Sequence, residues 1–225
     1  MPEQSVLVIA AHPDDELLGC GGTVALHALA GDRVTCVIVC EGESLRYGPD
    51  GVGQRSHMGC AARRLGVHDV RLLGFPDQRL DTICQLDVIQ RIEEVVRDVR
   101  PRTVYCQHGG DVNRDHQLVF QAALVATRPT ESSVEAVYAF DTASSTEWGY
   151  PRTFVPDTWI DIGSTLETKV EAMACYRSEV RRYPHPRSLQ ALRDRAHAWG
   201  VQACLEAAEV FMTIRRVVRH AETRD

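Results

Sequence analysis

Short apolar runs alternate with segments of helical period through the first half of this chain, and few architectures accept that pattern. SVLVIAA (5–11), RVTCVIVC (33–40), VRLLGF (70–75) and TVYCQ (103–107) are rich in β-branched residues and show little polar face. Strands buried on both sides read this way. Between them, LLGCGGTVALHALAG (17–31) has helical spacing and stops at Gly31, and QRSHMGCAARRLG (54–66) ends at Gly66. DVIQRIEEVVRDVR (87–100) is amphipathic and is halted by Pro101.

Such alternation, with right-handed crossovers, winds a parallel sheet with helices on both faces. The expected fold class is therefore α/β: a Rossmann-like three-layer sandwich around a mostly parallel central sheet. The second half is less regular. Segments 116–127, 165–179 and 188–208 have helical spacing, whereas 133–140, 157–163 and 210–218 read as extended. No internal repeat, low-complexity run or long linker divides the chain, so residues 1–225 are expected to form one domain.

Composition narrows the function. A net charge of −6 lacks the basic footprint of a non-specific nucleic-acid binder. No apolar run approaches the roughly 20 residues of a membrane span, and the N-terminus has no basic region ahead of its apolar stretch. The expectation is a cytoplasmic protein with neither nucleic acid nor membrane as partner, its oligomeric state open, homo-oligomer included. Eight cysteines form no CxxC pair and several lie in apolar runs, so they are expected to be reduced and buried. Lys169 is the only lysine in the chain.

Chemistry concentrates where the first strand ends. AHPDDE (11–16) brings one histidine and three acids to a point that, in a doubly wound sheet, lies at the carboxyl edge where ligands bind. Asp14 or Asp15 could do no more than cap the following helix. Yet a histidine three residues before a carboxylate can converge with it on one cation, and Asp14 would face the same space. A catalytic zinc needs a third protein ligand and an open position. NRDH (113–116), which follows the fourth strand and opens a helix, is the best source of one. GCGG (19–22) comes after the acidic cluster rather than in the strand-to-helix turn, so it fits close helix packing better than dinucleotide binding. GxxxxGK[ST] and GxSxG are both absent.

AHPDDE followed by DH about a hundred residues later resembles the LmbE-like (PIG-L-like) zinc-dependent N-deacetylases, which remove acetyl from N-acetylglucosaminyl groups. RSHMGCAARRLGVHDVRLLGFPDQRLD (55–81), DIGSTLETKVEAMACYRSE (161–179) and AEVF (208–211) are similar to further parts of that family, so the resemblance covers nearly the whole chain. It implies one Zn²⁺ per chain held by His12, Asp15 and His116, with Asp14 as general base. It also implies sugar contacts by Arg55 and Asp77, whose plainer roles are a helix-start residue and a turn former. Asp115 would orient a ligand.

Two positions depart from the family pattern. Met58 stands where a glutamate is usual, and Asn113 stands where many members carry a histidine that stabilises an oxyanion. Asn113 can still donate a hydrogen bond, and His108, His185 or Arg187 (in PHPRS, 184–188) are candidates for what it lacks. The implied substrate is a small soluble N-acetyl-aminosugar glycoside. Loop 41–53 and SSTEWGYPR (144–152) would frame it through Tyr47, Trp148 and Tyr150, with Glu41, Glu43 and Glu147 attracting a cationic aminoglycoside. Two other classes remain open: a non-catalytic sugar- or nucleotide-binding module, and a two-metal phosphoesterase.

Overall fold

A computed structural model describes residues 4–47, 53–130 and 132–218. Its centre is one sheet of seven strands: β1 (Ser5–Ala10), β2 (Arg33–Cys40), β3 (Asp69–Phe75), β4 (Thr103–Gln107), β5 (Ala136–Phe140), β6 (Thr158–Asp161) and β7 (Ala208–Arg216). Their order is β3-β2-β1-β4-β5-β7-β6, and the first five pair in parallel. β1 lies between β2 and β4, with Val8 opposite Cys36 on one side and Tyr105 on the other. The α/β fold expected from the alternation is the one that forms.

The apolar runs are explained by burial on both faces. Along β1, Val6, Val8 and Ala10 enter one core while Leu7, Ile9 and Ala11 enter the other, all at 0% exposure. The first core is closed by α1 (Asp15–Leu29), α3 (Gln54–Leu65), α6 (Leu166–Met173) and α7 (Leu189–Val201). The second is closed by α4 (Gln85–Val99) and α5 (Arg114–Ala126). The helix after β1 thus covers one face and the helix after β4 the other. This makes the β1/β4 border the switch point where doubly wound sheets open a crevice.

α1 is two helices joined at Cys20, whose φ of −142° and ψ of 23° are not helical. The joint frees backbone groups, and buried charges take them up. Glu209, on β7, accepts from Gly22 N (2.9 Å), Thr23 N (2.7 Å) and Thr23 Oγ1 (2.6 Å), capping the second half. Lys169, on α6, donates to Leu18 O (3.0 Å) and to Glu209 Oε1 (2.6 Å). The glycines of GCGG pack as expected: a Cβ on Gly19 would collide with Phe140, and one on Gly22 would come 2.9 Å from Ile162.

Several expectations are corrected. The helix expected over 165–179 ends at Met173, where the chain tightens through Cys175 N→Ala172 O and Tyr176 N→Met173 O. That expected over 188–208 ends at Val201, because the chain doubles back and Ala203 N and Leu205 N both donate to Gly200 O. β6 and β7 run antiparallel at one edge of a sheet that is mostly parallel, as expected. Loop 41–53 contains a one-turn helix, α2 (Ser44–Tyr47), and its residues 48–52 lie outside the described residues. The cysteines are not all buried thiols. Cys60 and Cys175 form a disulfide between α3 and the end of α6, while Cys84 and Cys204 are exposed. Local spacing could not reveal a bond that spans 115 residues.

A candidate metal centre at the switch point

The chain leaves β1 at Ala10 and must turn at once into α1. Asp14 makes that turn in the left-handed region, with a φ of 96°. Such a conformation costs a non-glycine residue of order 1–3 kcal/mol and survives only where its surroundings enforce it. Here Asp14 N donates to Glu16 Oε2 (3.0 Å), and Asp14 O accepts from Leu17 N and Leu18 N. Pro13 packs on Gly42, which has a φ of +76° and no room for a Cβ. The turn points His12, Asp14 and Asp15 into the crevice.

Across the β1/β4 border, α5 begins with Asn113 as its N-cap, the side chain accepting from Asp115 N at 2.9 Å. His116 then lies in the first helical turn and reaches back to α1. His12 Nδ1 is 3.2 Å from Asp15 Oδ2 and 3.2 Å from His116 Nε2, and His116 Nε2 is 3.3 Å from Asp15 Oδ2. The three atoms form a nearly equilateral triangle. Zinc bonds of about 2.0–2.2 Å in a tetrahedron set neighbouring ligand atoms roughly 3.3–3.6 Å apart, so the donor set fits such an ion.

The surroundings fix each donor. His12 presents Nδ1 to the triangle and Nε2 to Asp115 Oδ2 at 3.0 Å, with Asp77 Oδ1 behind it at 3.4 Å. A carboxylate on the far nitrogen is the usual way a ligating imidazole is oriented. Asp115 therefore serves His12, across the crevice, and not its neighbour His116. His116 has Asp111 Oδ1 3.2 Å from its Nδ1, and Asp111 is itself held by Ser145 Oγ and by Thr146 Oγ1 (2.6 Å). Asp15 Oδ2 also accepts from His12 N (2.8 Å) and Gln107 Nε2 (2.9 Å).

Electrostatically the cluster calls for a cation. Burial would depress His116, yet Asp15 and Asp111 raise it to about 10. Burial would raise Asp15, yet His116 and His12 hold it well below the usual carboxylate range. Asp14 differs from its neighbour. Burial pushes it up to about 8, against the pull of Arg187 and with the help of Asp15, Glu179 and Glu16. Burial likewise lifts Glu16 to about 7, although Tyr176 OH donates to it at 2.6 Å.

His12, Asp14, Asp15 and His116 line a cavity of about 390 Å³ together with Gln78, Asn113, Trp148 and Arg187. Arg55 is exposed on α3, and Asp77 is 1% exposed behind His12; neither is among the lining residues. Trp148 is 59% exposed at the cavity, Tyr150 stands out at 96%, and Tyr47 is tied to Glu179 Oε1 at 2.6 Å. Glu41, Glu43 and Glu147 each accept backbone N–H groups of nearby loop and helix-start residues. That occupation weakens the expected attraction of a cationic aminoglycoside. Gln107, Asp111 and Glu179 escaped the sequence reading. Only Gln107 carried a signal, as the last residue of a strand that ends at the crevice.

Residues 7–127, more than half of the chain, match the family described as PIG-L: GlcNAc-PI de-N-acetylase. The chain belongs to the PIG-L family. It is 32% identical over 157 residues to the uncharacterized deacetylase YaiS of Escherichia coli, covering 67% of this chain and 80% of the relative. It is 27% identical over 190 residues to a probable N-acetyl-alpha-D-glucosaminyl L-malate deacetylase of Bacillus cereus, covering 79% and 84%. Among solved PIG-L-like folds, GalB, the 4-carboxy-2-hydroxymuconate hydratase of Pseudomonas putida, superposes with a TM-score of 0.79 at 26% identity, covering 97% of this chain and 99% of that one. Deacetylase relatives thus share the scaffold with a hydratase.

Proposed function

We propose that this chain is a metal-dependent N-deacetylase, a single LmbE-like domain over residues 1–225, acting on an N-acetylglucosaminyl-type sugar in a small soluble glycoside. The observation that carries the reading is the triangle of His12 Nδ1, Asp15 Oδ2 and His116 Nε2 with the Asp14 carboxylate beside it in one cavity. His12, Asp15 and His116 would hold one Zn²⁺, with Asp115 orienting His12. When bound, the ion supplies a Lewis acid that acidifies water and polarises a carbonyl.

Asp14 does the proton work. A water oxygen bonds to the acetyl carbon while Asp14 takes the water's proton, and Asp14 returns it to the nitrogen as the C–N bond breaks. Acetate and the free amine leave. Asp14 is suited to both halves because burial holds it close to neutral pH rather than in the ordinary carboxylate range. Asn113 caps α5 through Asp115 N and lines the cavity, Asp77 backs His12 Nε2 at 3.4 Å, and Arg55, exposed on α3 and outside the cavity lining, is assigned no part in the reaction. Trp148, exposed at the cavity, offers a flat face to a pyranose ring. Among the described residues no helix is long and apolar enough to cross a membrane.

The test is amine and acetate release from a panel of N-acetylglucosaminyl glycosides after chelation and zinc restoration. Asp14→Asn should retain zinc and lose ~10²–10⁴-fold in rate, while Ala at His12, Asp15 or His116 should lose zinc and rate together. A hydratase reading is favoured by one observation, the likeness to GalB. Loss of a carbon–carbon double-bond absorbance from an unsaturated hydroxy acid, with no amine released by any glycoside, would establish that reading instead.

A further inference from the structure

Of the three residues that could replace the family's missing oxyanion histidine, the geometry selects one. His108 Nε2 is bonded to Thr153 Oγ1 at 2.8 Å, its ring packs edge-on to Phe154, and it is not among the cavity-lining residues. His185 Nδ1 accepts from Arg187 N at 3.1 Å and is not among the cavity-lining residues. Asn113 has its oxygen on Asp115 N and its nitrogen on Gln78 Oε1 at 3.1 Å. Arg187 alone of these presents a cation to the cavity.

Its guanidinium is held from three sides. Nη1 donates to Asp14 Oδ2 (3.0 Å) and Glu179 Oε2 (2.9 Å), and Nε donates to Ser144 Oγ (2.8 Å). The side chain is only 14% exposed. The anchors are themselves built in. Glu179 Oε1 accepts from Tyr47 OH and from Gln54 Nε2 at 3.0 Å. Ser144 sits in the left-handed region at a φ of 67°, with Glu147 receiving its N–H and that of Ser145. Strain of that kind is retained where a side chain must be aimed. Among the described residues Nη2 makes no hydrogen bond, so two N–H groups of a fixed fork stay available beside Asp14.

We propose that Arg187 is the group that donates to the substrate's carbonyl oxygen as negative charge develops on it, and that Ser144 and Glu179 are its positioning residues. The proposal rests on the deacetylase reading above. A preorganised cationic donor, its side chain 14% exposed, stabilises the transition state more than the ground state, because the ground-state amide oxygen carries little charge. An arginine serves here better than a lysine: Nε and Nη1 are spent on anchors while Nη2, on a side chain that lines the cavity, keeps its N–H groups for a ligand. A structural role, balancing the two buried carboxylates Asp14 and Glu179, is the competing account.

Kinetics and inhibitor binding separate the two. Arg187→Gln should lower kcat ~10²–10³-fold on an N-acetylglucosaminyl glycoside, with KM and zinc content near wild type. Binding of a methylphosphonamidate analogue, whose centre is tetrahedral and anionic, should weaken by a similar factor, while the product amine binds as before. Ser144→Ala, which removes the Nε anchor without touching Asp14, should cost kcat several-fold, and Arg187→Ala should be partly rescued by added guanidinium. An active wild type whose Arg187→Gln variant keeps its kcat, or loses substrate and analogue affinity equally, overturns the role of Arg187 alone. A wild type that releases no amine from any glycoside overturns the deacetylase reading and this inference with it.

Discussion

Lys169→Met tests whether the buried ion pair behind the Asp14 turn holds α1 together. Lys169 and Glu209 meet at 2.6 Å with side chains 7% and 4% exposed, and removing one partner of such a pair typically costs ~3–5 kcal/mol. After Lys169→Met, Glu209 keeps three donors from Gly22 and Thr23, which places the cost at the low end, about 3 kcal/mol. Glu209→Gln is worse placed: Lys169 then faces only Leu18 O and the amide oxygen, and the second half of α1 loses its charged cap, so about 4–5 kcal/mol is expected. The double variant buries no charge and should recover ~1–3 kcal/mol relative to the sum of the singles. Urea unfolding at neutral pH measures all three, provided the slope with denaturant is unchanged. A Lys169→Met cost below ~1 kcal/mol, or strict additivity in the double variant, would refute the account. The pair would then be a bystander to the joint at Cys20.

Three further outcomes are expected. Zinc added to metal-free protein at pH 7.5 should release at least one proton, because His116 holds its proton up to about 10 and must lose it to ligate. Affinity should accordingly rise with pH until that value is passed, and calorimetry in buffers of different ionisation enthalpy that finds no proton release would contradict the electrostatics. Gly19→Ala should destabilise by ~1–3 kcal/mol through overpacking on Phe140, whereas Gly21→Ala, with its nearest neighbours 3.3 Å away, should cost clearly less by the same urea assay. Reducing Cys60–Cys175, or replacing either residue by Ala, should lower stability by ~2–4 kcal/mol; an unchanged urea midpoint after thiol titration has shown the bond open would deny it any tie between α3 and the end of α6.

The first half of the fold was legible because β1, β2 and β4 are buried on both faces and their sequences say so without context. The end of α6 was not. Met173, Tyr176 and Val180 keep a helical spacing, but Tyr176 bends the chain inward so that its hydroxyl meets Glu16, 160 residues away. His12, Asp14, Asp15 and His116 could be gathered from the sequence because each follows a strand at the same sheet edge. Asp111 and Glu179 could not, since their value lies in what they touch. Asp115 shows the boundary most sharply: that it would orient a ligand could be read, but not that the ligand is His12, 103 positions earlier, rather than the adjacent His116.

The pairing of β1 with β4 brings together donors that lie 104 residues apart in the chain. An ion held by His12 and His116 would therefore close a long loop of polypeptide, acting as a reversible cross-link between the two windings of the sheet. Because the unfolded chain does not hold the three donors together, each tenfold excess of metal over its dissociation constant would add ~1.4 kcal/mol to folding. Metal scarcity would then switch off the chemistry and slacken the same border of the sheet at once, leaving the idle protein also the more easily degraded one.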